Sequence, residues 1–322
     1  MLNQKKLKVA LLFSGQVRDI ADEKFNSGLR EFTRHFDADV YLTHWDEPGV
    51  SMGHNLSKMN QSTQATFDIN AYLIKAFEGF NVVAHESESG DSWRKSLDSR
   101  YLDILNSHDY SKLTIHALPQ LYQIYKSFKL VENNLDQYDI VIRCRYDLLF
   151  VTAFQEWDFD DATVYGLNFG RAYYPNRIYD IFFWGAPSAV RSTLMAWNIV
   201  PELMQNEFDN GLDKRDACRL LYLAAKKERS EVMSGVVRYC DIYRPEKSVY
   251  DYCVNILYWG LVAKEANSSL KQAVYLNFYN HLHKQMGAIK TSFLRLLTSF
   301  SIYRRGTLSY WKKKFLRVLH II

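Results

Sequence analysis

Arg143, Arg145 and Asp147 stand at alternate positions in the otherwise apolar stretch YDIVIRCRYDLLF, residues 138–150. A period of two places all three on one face of an extended segment. Two guanidiniums and a carboxylate so arranged can fork onto phosphate oxygens or hold a cation. They can equally close on one another as an internal ion pair that ends a strand. Buried without either partner, they would be costly. A second stretch of this kind is Ser14-Gly15-Gln16-Val17-Arg18. It is neither a Walker loop nor GxGxxG. It is, however, a polar turn with a glycine directly after an apolar run, where α/β folds receive a nucleotide. Arg18 can face a phosphate there, or solvent. Two more acids, Asp180 and Glu246, are candidates for a general base, against the plainer readings of a strand-start residue and a solvated loop acid. His44 and Asp46 are too few to make a metal site.

These side chains need a framework, and the sequence describes one. Lys8–Phe13 reads as a first buried parallel strand, followed by a helix with Phe25, Leu29, Phe32 and Phe36 on one face. Asp39–Thr43 is a second strand, Ile69–Phe77 a helix, and Asn81–Ala84 a short strand. Residues 49–66 and 86–100 are polar and read as loops, the latter a lid candidate. Leu121, Ile124, Tyr125, Phe128, Val131 and Leu135 mark a helix over 118–135, which feeds the central strand built on Ile140–Ile142. Thr163–Gly166 and Tyr179–Ala186 follow as strands, with Pro187 opening a helix to Leu203. Val236–Tyr243 and Tyr250–Ala263 read as the last strand and helix. The alternation predicts a mostly parallel sheet with helices on both faces and Ile140–Ile142 in an inner strand.

Composition narrows the class. The 322 residues are 48% hydrophobic and 24% charged, ordinary for a globular protein. Four cysteines lack CxxC or zinc spacing, which points to reduced thiols in a cytoplasmic setting. The apolar run Val9–Phe13 is too short for a signal-peptide core, and no segment reaches the roughly 18 apolar residues of a membrane span. The net charge of +4 is unevenly spread: residues 1–265 carry −6, and the 57 residues after Glu265 carry +10 with no acid. The reading is therefore a body over 1–265 and a basic amphipathic helical tail over 266–322. An acidic body without a recognition module argues against nucleic acid as a partner.

In the order of its parts the chain resembles the bacterial nucleotide-sugar glycosyltransferases of GT-A fold found in capsule and lipopolysaccharide biosynthesis. The likeness rests on the SGQVR turn, on LPQLYQIYKSFKLVENNL feeding YDIVIRCRYDLLF, on YDIFFWGAPSAVRS and on RPEKSVYDYCV, and covers residues 7 to 260. It implies a GT-A-like, Rossmann-like sheet over 1–265. It also implies a nucleotide-sugar donor, of the UDP type, and a glycan or lipid-linked glycan acceptor. Donor contacts would fall to Ser14, Gly15, Gln16, Arg18, Arg143, Arg145 and Asp147, and the carboxylate base to Asp180 or Glu246. A divalent metal, Mn²⁺ or Mg²⁺, would sit at Asp147. The chain departs from the family's Asp-x-Asp here, because Arg145-Tyr146-Asp147 keeps only the second acid. An arginine can supply the missing positive charge itself. A phospho- or sulfotransferase, disfavoured by the missing P-loop, and a non-catalytic nucleotide- or sugar-binding protein at a membrane are the competing classes.

The tail carries its own expectation. Phe293, Leu297, Phe300, Trp311, Phe315 and Leu319 interleave with Arg295, Arg304, Arg305 and Lys312–Lys314. Helices of this pattern lie in the plane of an anionic membrane, here the cytoplasmic face of the inner membrane, each basic residue adding about 1 kcal/mol. The full chain is expected to float with anionic liposomes, and a chain truncated after Ala288 to stay behind. Equal binding by the two would remove the tail as an anchor.

Overall fold

The computed structural model describes residues 6–17, 23–46, 68–106, 112–150, 153–154, 159–166, 176–208, 216–234 and 240–242. All belong to a unit running from Met1 to Tyr243. Arg18, Glu246, the stretch 49–66, the helix expected over 250–263 and the basic tail lie outside the described residues.

The described chain is an α/β fold. Its strands are β1 (Lys8–Gly15), β2 (Asp37–Trp45), β3 (Asn81–Glu88), β4 (Ile140–Cys144), β5 (Leu148–Phe150), β6 (Thr163–Gly166), β7 (Phe182–Gly185), β8 (Glu231–Ser234) and β9 (Cys240–Ile242). Seven of them form one sheet in the order β3-β2-β1-β4-β7-β6-β8, while β5 and β9 form a separate antiparallel pair. In the large sheet only β7 runs against its neighbours, between β4 and β6. The inner strands are apolar because both faces are covered: Val9 to Phe13 and Ile140 to Ile142 are fully buried. The edge strand β3 is exposed and carries His85, Glu86 and Glu88, side chains that discourage pairing with another chain.

Register assigns the faces. Ala10 and Leu12 of β1 lie level with Val141 and Arg143 of β4, and Leu12 with Tyr41 of β2. On this side pack α5 (Lys112–Val131), α6 (Pro187–Leu194) and α8 (Ala217–Lys227), through Leu121, Ile124, Phe128, Val190 and Leu220. The opposite side presents Val9, Leu11 and Phe13 to α1 (Glu23–Thr33) and α2 (Ile69–Ala76). Rings fill that layer, with Phe13 at 6.0 Å from Phe25 and 4.9 Å from Phe77. Each buried ring contributes about 1.5–3 kcal/mol.

Three local expectations change. The stretch 86–100 is not a loop: it completes β3, forms α3 (Gly90–Ser96) and begins α4 (Ser99–Asn106). The Ser89 hydroxyl accepts the Ser92 N–H as an N-cap, and Trp93 of α3 is buried. The helix opened by Pro187 breaks at Met195 into a 3-10 turn before α7 (Val200–Phe208). Finally, YDIVIRCRYDLLF is not one strand. It ends at Cys144, turns through Tyr146 and Asp147, and resumes as β5 in the second sheet.

That turn sends β5 against α1. A Cβ at Gly28 would fall well inside contact distance of the Phe150 carbonyl oxygen, while at Gly90 it would meet nothing within 4 Å. Gly28 in mid-helix is thus explained by close approach rather than by conformation. Gly28→Ala is expected to lower unfolding free energy by about 1–3 kcal/mol despite its better helix propensity. Gly90→Ala is expected to be neutral or slightly stabilising. Urea denaturation of the two variants checks both.

Candidate functional site

The chain builds from β1 outward through β2 to β3, then returns to place β4 on the other side of β1. The carboxyl ends of β1 and β4 therefore flank a topological switch point, the place where open α/β sheets bind ligands. Gly15 closes β1 with φ +117°, a backbone setting that side-chain-bearing residues rarely adopt. Ser14 before it is fully buried, and Gln16 after it is exposed.

Arg143 meets this turn. Its Cα is level with Leu12, yet its guanidinium reaches Ser14, two residues further along β1. Nε donates to Ser14 Oγ at 3.1 Å and Nη2 to the Ser14 carbonyl at 3.2 Å. The side chain thus leans toward the carboxyl end of the sheet. Arg143 is 2% exposed, and its Nη1 is buried without a hydrogen-bond partner among the described residues. Burial pulls the guanidinium down to about 10, against the opposing pull of the Asp180 charge.

Arg145 has the opposite circumstances. Nε donates to Asp147 Oδ1 at 2.8 Å and Nη2 to Asp147 Oδ2, a two-pronged ion pair. Its Nη1 lies 3.7 Å from Asp180 Oδ2, too far for a hydrogen bond, and that oxygen is itself buried without one among the described residues. Cys218, in the first turn of α8, donates its thiol to Asp180 Oδ1 at 3.5 Å. Burial alone would lower the Arg145 guanidinium, but Asp147 and Asp180 outweigh it and leave it above its usual value. Between them Tyr146 points the other way, its hydroxyl 3.3 Å from the Phe13 carbonyl and 3.2 Å from that of Thr43. Burial pushes this hydroxyl well above its usual range, so it stays a donor.

Ser14, Arg143, Arg145, Asp147 and Asp180 are therefore one linked polar cluster at the strand ends. The alternating charges do not share a strand face, because Arg145 lies past the end of β4 and Asp147 in the turn. The donor set at Asp147 does not fit a divalent cation, since Arg145 takes both of its oxygens. Among the described residues no three His, Cys, Asp or Glu side chains form a metal-holding group. Sequence reasoning missed Cys218, and it did not pair His44 with His85, whose Nε2 atoms lie 2.7 Å apart. Nothing in residue spacing links positions 41 apart; only the sheet order does.

No protein-family model matches the chain, and comparison with curated proteins found no significant match. Among the described residues, no helix is long and apolar enough to cross a membrane.

A buried ion pair broken on one side costs more than it gives intact. Asp147→Ala leaves Arg145 facing only the more distant Asp180, and is expected to lose about 3–5 kcal/mol. Asp180→Asn, which leaves the two-pronged pair whole, is expected to lose less. Chemical denaturation at neutral pH ranks the two, and a reversed order would place the main anchor at Asp180.

Proposed function

We propose that the protein is a glycosyltransferase of GT-A type. It would move a sugar from a nucleotide-sugar donor, of the UDP class, to a growing surface polysaccharide or lipid-linked glycan. The observation that carries this reading is Arg143. A guanidinium without a tight carboxylate partner, leaning toward the switch point with an orphaned N–H group, suits an oxyanion of a diphosphate. The Gly15 turn beside it leaves room for close backbone approach, with no atom within 4 Å of a Cβ built there. The α/β architecture, with a mostly parallel seven-stranded sheet, agrees with the proposed class.

The leaving group of glycosyl transfer is a diphosphate, and its developing charge must be met by metal or by fixed cations. Arg145 occupies the first position of the family's Asp-x-Asp, and Asp147 is engaged by it, so this reading gives the task to Arg143. Arg18 of the same turn would add a second cation. Asp147 and Asp180 then hold Arg145 in place and shape the floor of the site. The lipid-linked acceptor accords with the basic tail, which would keep the enzyme on the cytoplasmic face of the inner membrane.

A panel of nucleotide sugars, each with EDTA, Mg²⁺ or Mn²⁺, tests the reading by release of nucleoside diphosphate. Activity is expected to persist in EDTA. Arg143→Met is expected to weaken UDP binding roughly ten- to a hundredfold, the value of a charge-assisted hydrogen bond of about 1.5–3 kcal/mol, in protein whose circular dichroism is unchanged. Release of a phosphoadenosine would move the protein to the sulfotransferases, and binding without turnover would make it an adaptor.

A further inference from the structure

A second polar group lies on the other face of the sheet, near the carboxyl end of β2. His44 lies on β2 level with Gly15, and His85 lies on the neighbouring β3. Their rings are 4.9 Å apart, with Nε2 facing Nε2 at 2.7 Å. His44 Nδ1 is 2.8 Å from the Trp45 carbonyl oxygen. A carbonyl can only accept, so His44 carries its proton on Nδ1 and has a bare lone pair at Nε2. The bond between the rings then requires the proton of His85 on Nε2. That leaves Nδ1 of His85 as the unprotonated nitrogen not engaged within the pair, on an exposed residue, while His44 is 1% exposed.

The pair adjoins the charged cluster through Tyr146, whose ring is 6.5 Å from that of His44 and whose chain neighbours are Arg145 and Asp147. Of the charged groups nearby, Asp46 beside His44 bears on the pair, whereas Glu86 and Glu88 alternate with His85 along β3 and face α5 on the other side of the sheet, where Lys126 and Tyr122 bond them. Burial holds both imidazoles below their usual value, so the pair is neutral at pH 7. Asp180 is a poor rival as a base, being buried and engaged by Arg145 and Cys218.

We propose that His85, backed by His44, is the general base of the transfer reaction. The inference rests on the nucleotide-sugar reading above. The hydroxyl O–H bond of the acceptor breaks and its proton goes to His85 Nδ1. The oxygen's electron pair forms the new bond to the anomeric carbon of the donor. The bond from that carbon to the diphosphate breaks, its pair leaving on the phosphate oxygen. His85 can then pass its Nε2 proton to His44 Nε2, so the positive charge spreads over two rings while His44 Nδ1–H stays on the Trp45 carbonyl.

The test uses the full chain, water as acceptor and UDP release from UDP-sugars as the readout. In the wild type the rate is expected to rise with pH through a single ionisation below pH 6.5, the usual histidine value. His85→Gln is expected to lose about 100-fold or more in rate, along with that limb, at unchanged UDP affinity. His44→Gln is expected to shift the limb rather than abolish it. Nitrogen NMR of labelled histidines is expected to show Nδ1–H on His44 and Nε2–H on His85. The reverse tautomers, or a His85→Gln enzyme within threefold of wild type with the limb intact, would overturn the base while leaving the nucleotide-sugar reading standing. A wild type that neither binds UDP nor releases it from any donor would overturn that reading and the base together.

Discussion

Keeping Arg143 charged inside the fold is the constraint around which the strand ends are built. Removing a guanidinium from water costs several kcal/mol after relaxation, and among the described residues no carboxylate holds this one directly. Ser14 offsets part of the cost by accepting twice, through its hydroxyl and its carbonyl. That carbonyl lies just past the pairing of β1 with β4, which ends at Phe13 and Cys144, and β1 itself closes one residue later at Gly15, in a backbone setting closed to most residues. The register of β1 with β4 then fixes the reach, placing the arginine's Cα two residues short of the serine it bonds. Serine, glycine and register are a single device. Each would be unremarkable without the buried charge.

Arg145 solves the same problem differently. Its fork is satisfied by Asp147 within a three-residue turn, and Asp180 adds a longer-range contribution from just before β7. Two arginines and two aspartates leave the cluster formally neutral, so its field on an incoming anion depends on geometry rather than on net charge. The tied guanidinium is shielded by its partners and the other has a donor to spare. The asymmetry leaves Arg145 fully paired and Arg143 with one N–H group that meets no acceptor among the described residues.

Much of the framework was legible in the sequence. The apolar runs at 9–13 and 140–142 could belong only to buried strands, and the helical spacing of Leu121, Ile124 and Phe128 named the helix between them. Two candidate stretches, SGQVR and IRCRYD, do meet through Ser14 and Arg143, as strand-end chemistry in an α/β sheet requires. The split of the central segment was not legible. Leu148–Phe150 is as apolar as Ile140–Ile142, and an apolar run does not say which sheet receives it. The internal ion pair that ends a strand, one of the two readings open in the sequence, is what Arg145 and Asp147 form, although the spacing alone did not show that the strand stops at Cys144. The helix α3 was hidden by composition: one tryptophan in a polar stretch anchors it, and a single buried ring leaves no periodicity.

The two faces of the sheet divide the polar chemistry between them. Ser14 and Arg143 belong to the side covered by α5, whereas His44, level with Gly15, belongs to the side of Phe13 and Leu42. Alternation along adjacent strands makes this unavoidable, since consecutive residues point to opposite faces. Tyr146 bridges the division. Its backbone lies between the members of the ion pair, its hydroxyl is bound by the carbonyls of Phe13 and Thr43, and its ring faces His44. A buried hydroxyl held between two strands resists displacement in either direction, so the turn that carries Asp147 is fixed relative to both β1 and β2. Fixed in this way, the turn ties the Arg143 side of the sheet to the His44 side across its carboxyl edge.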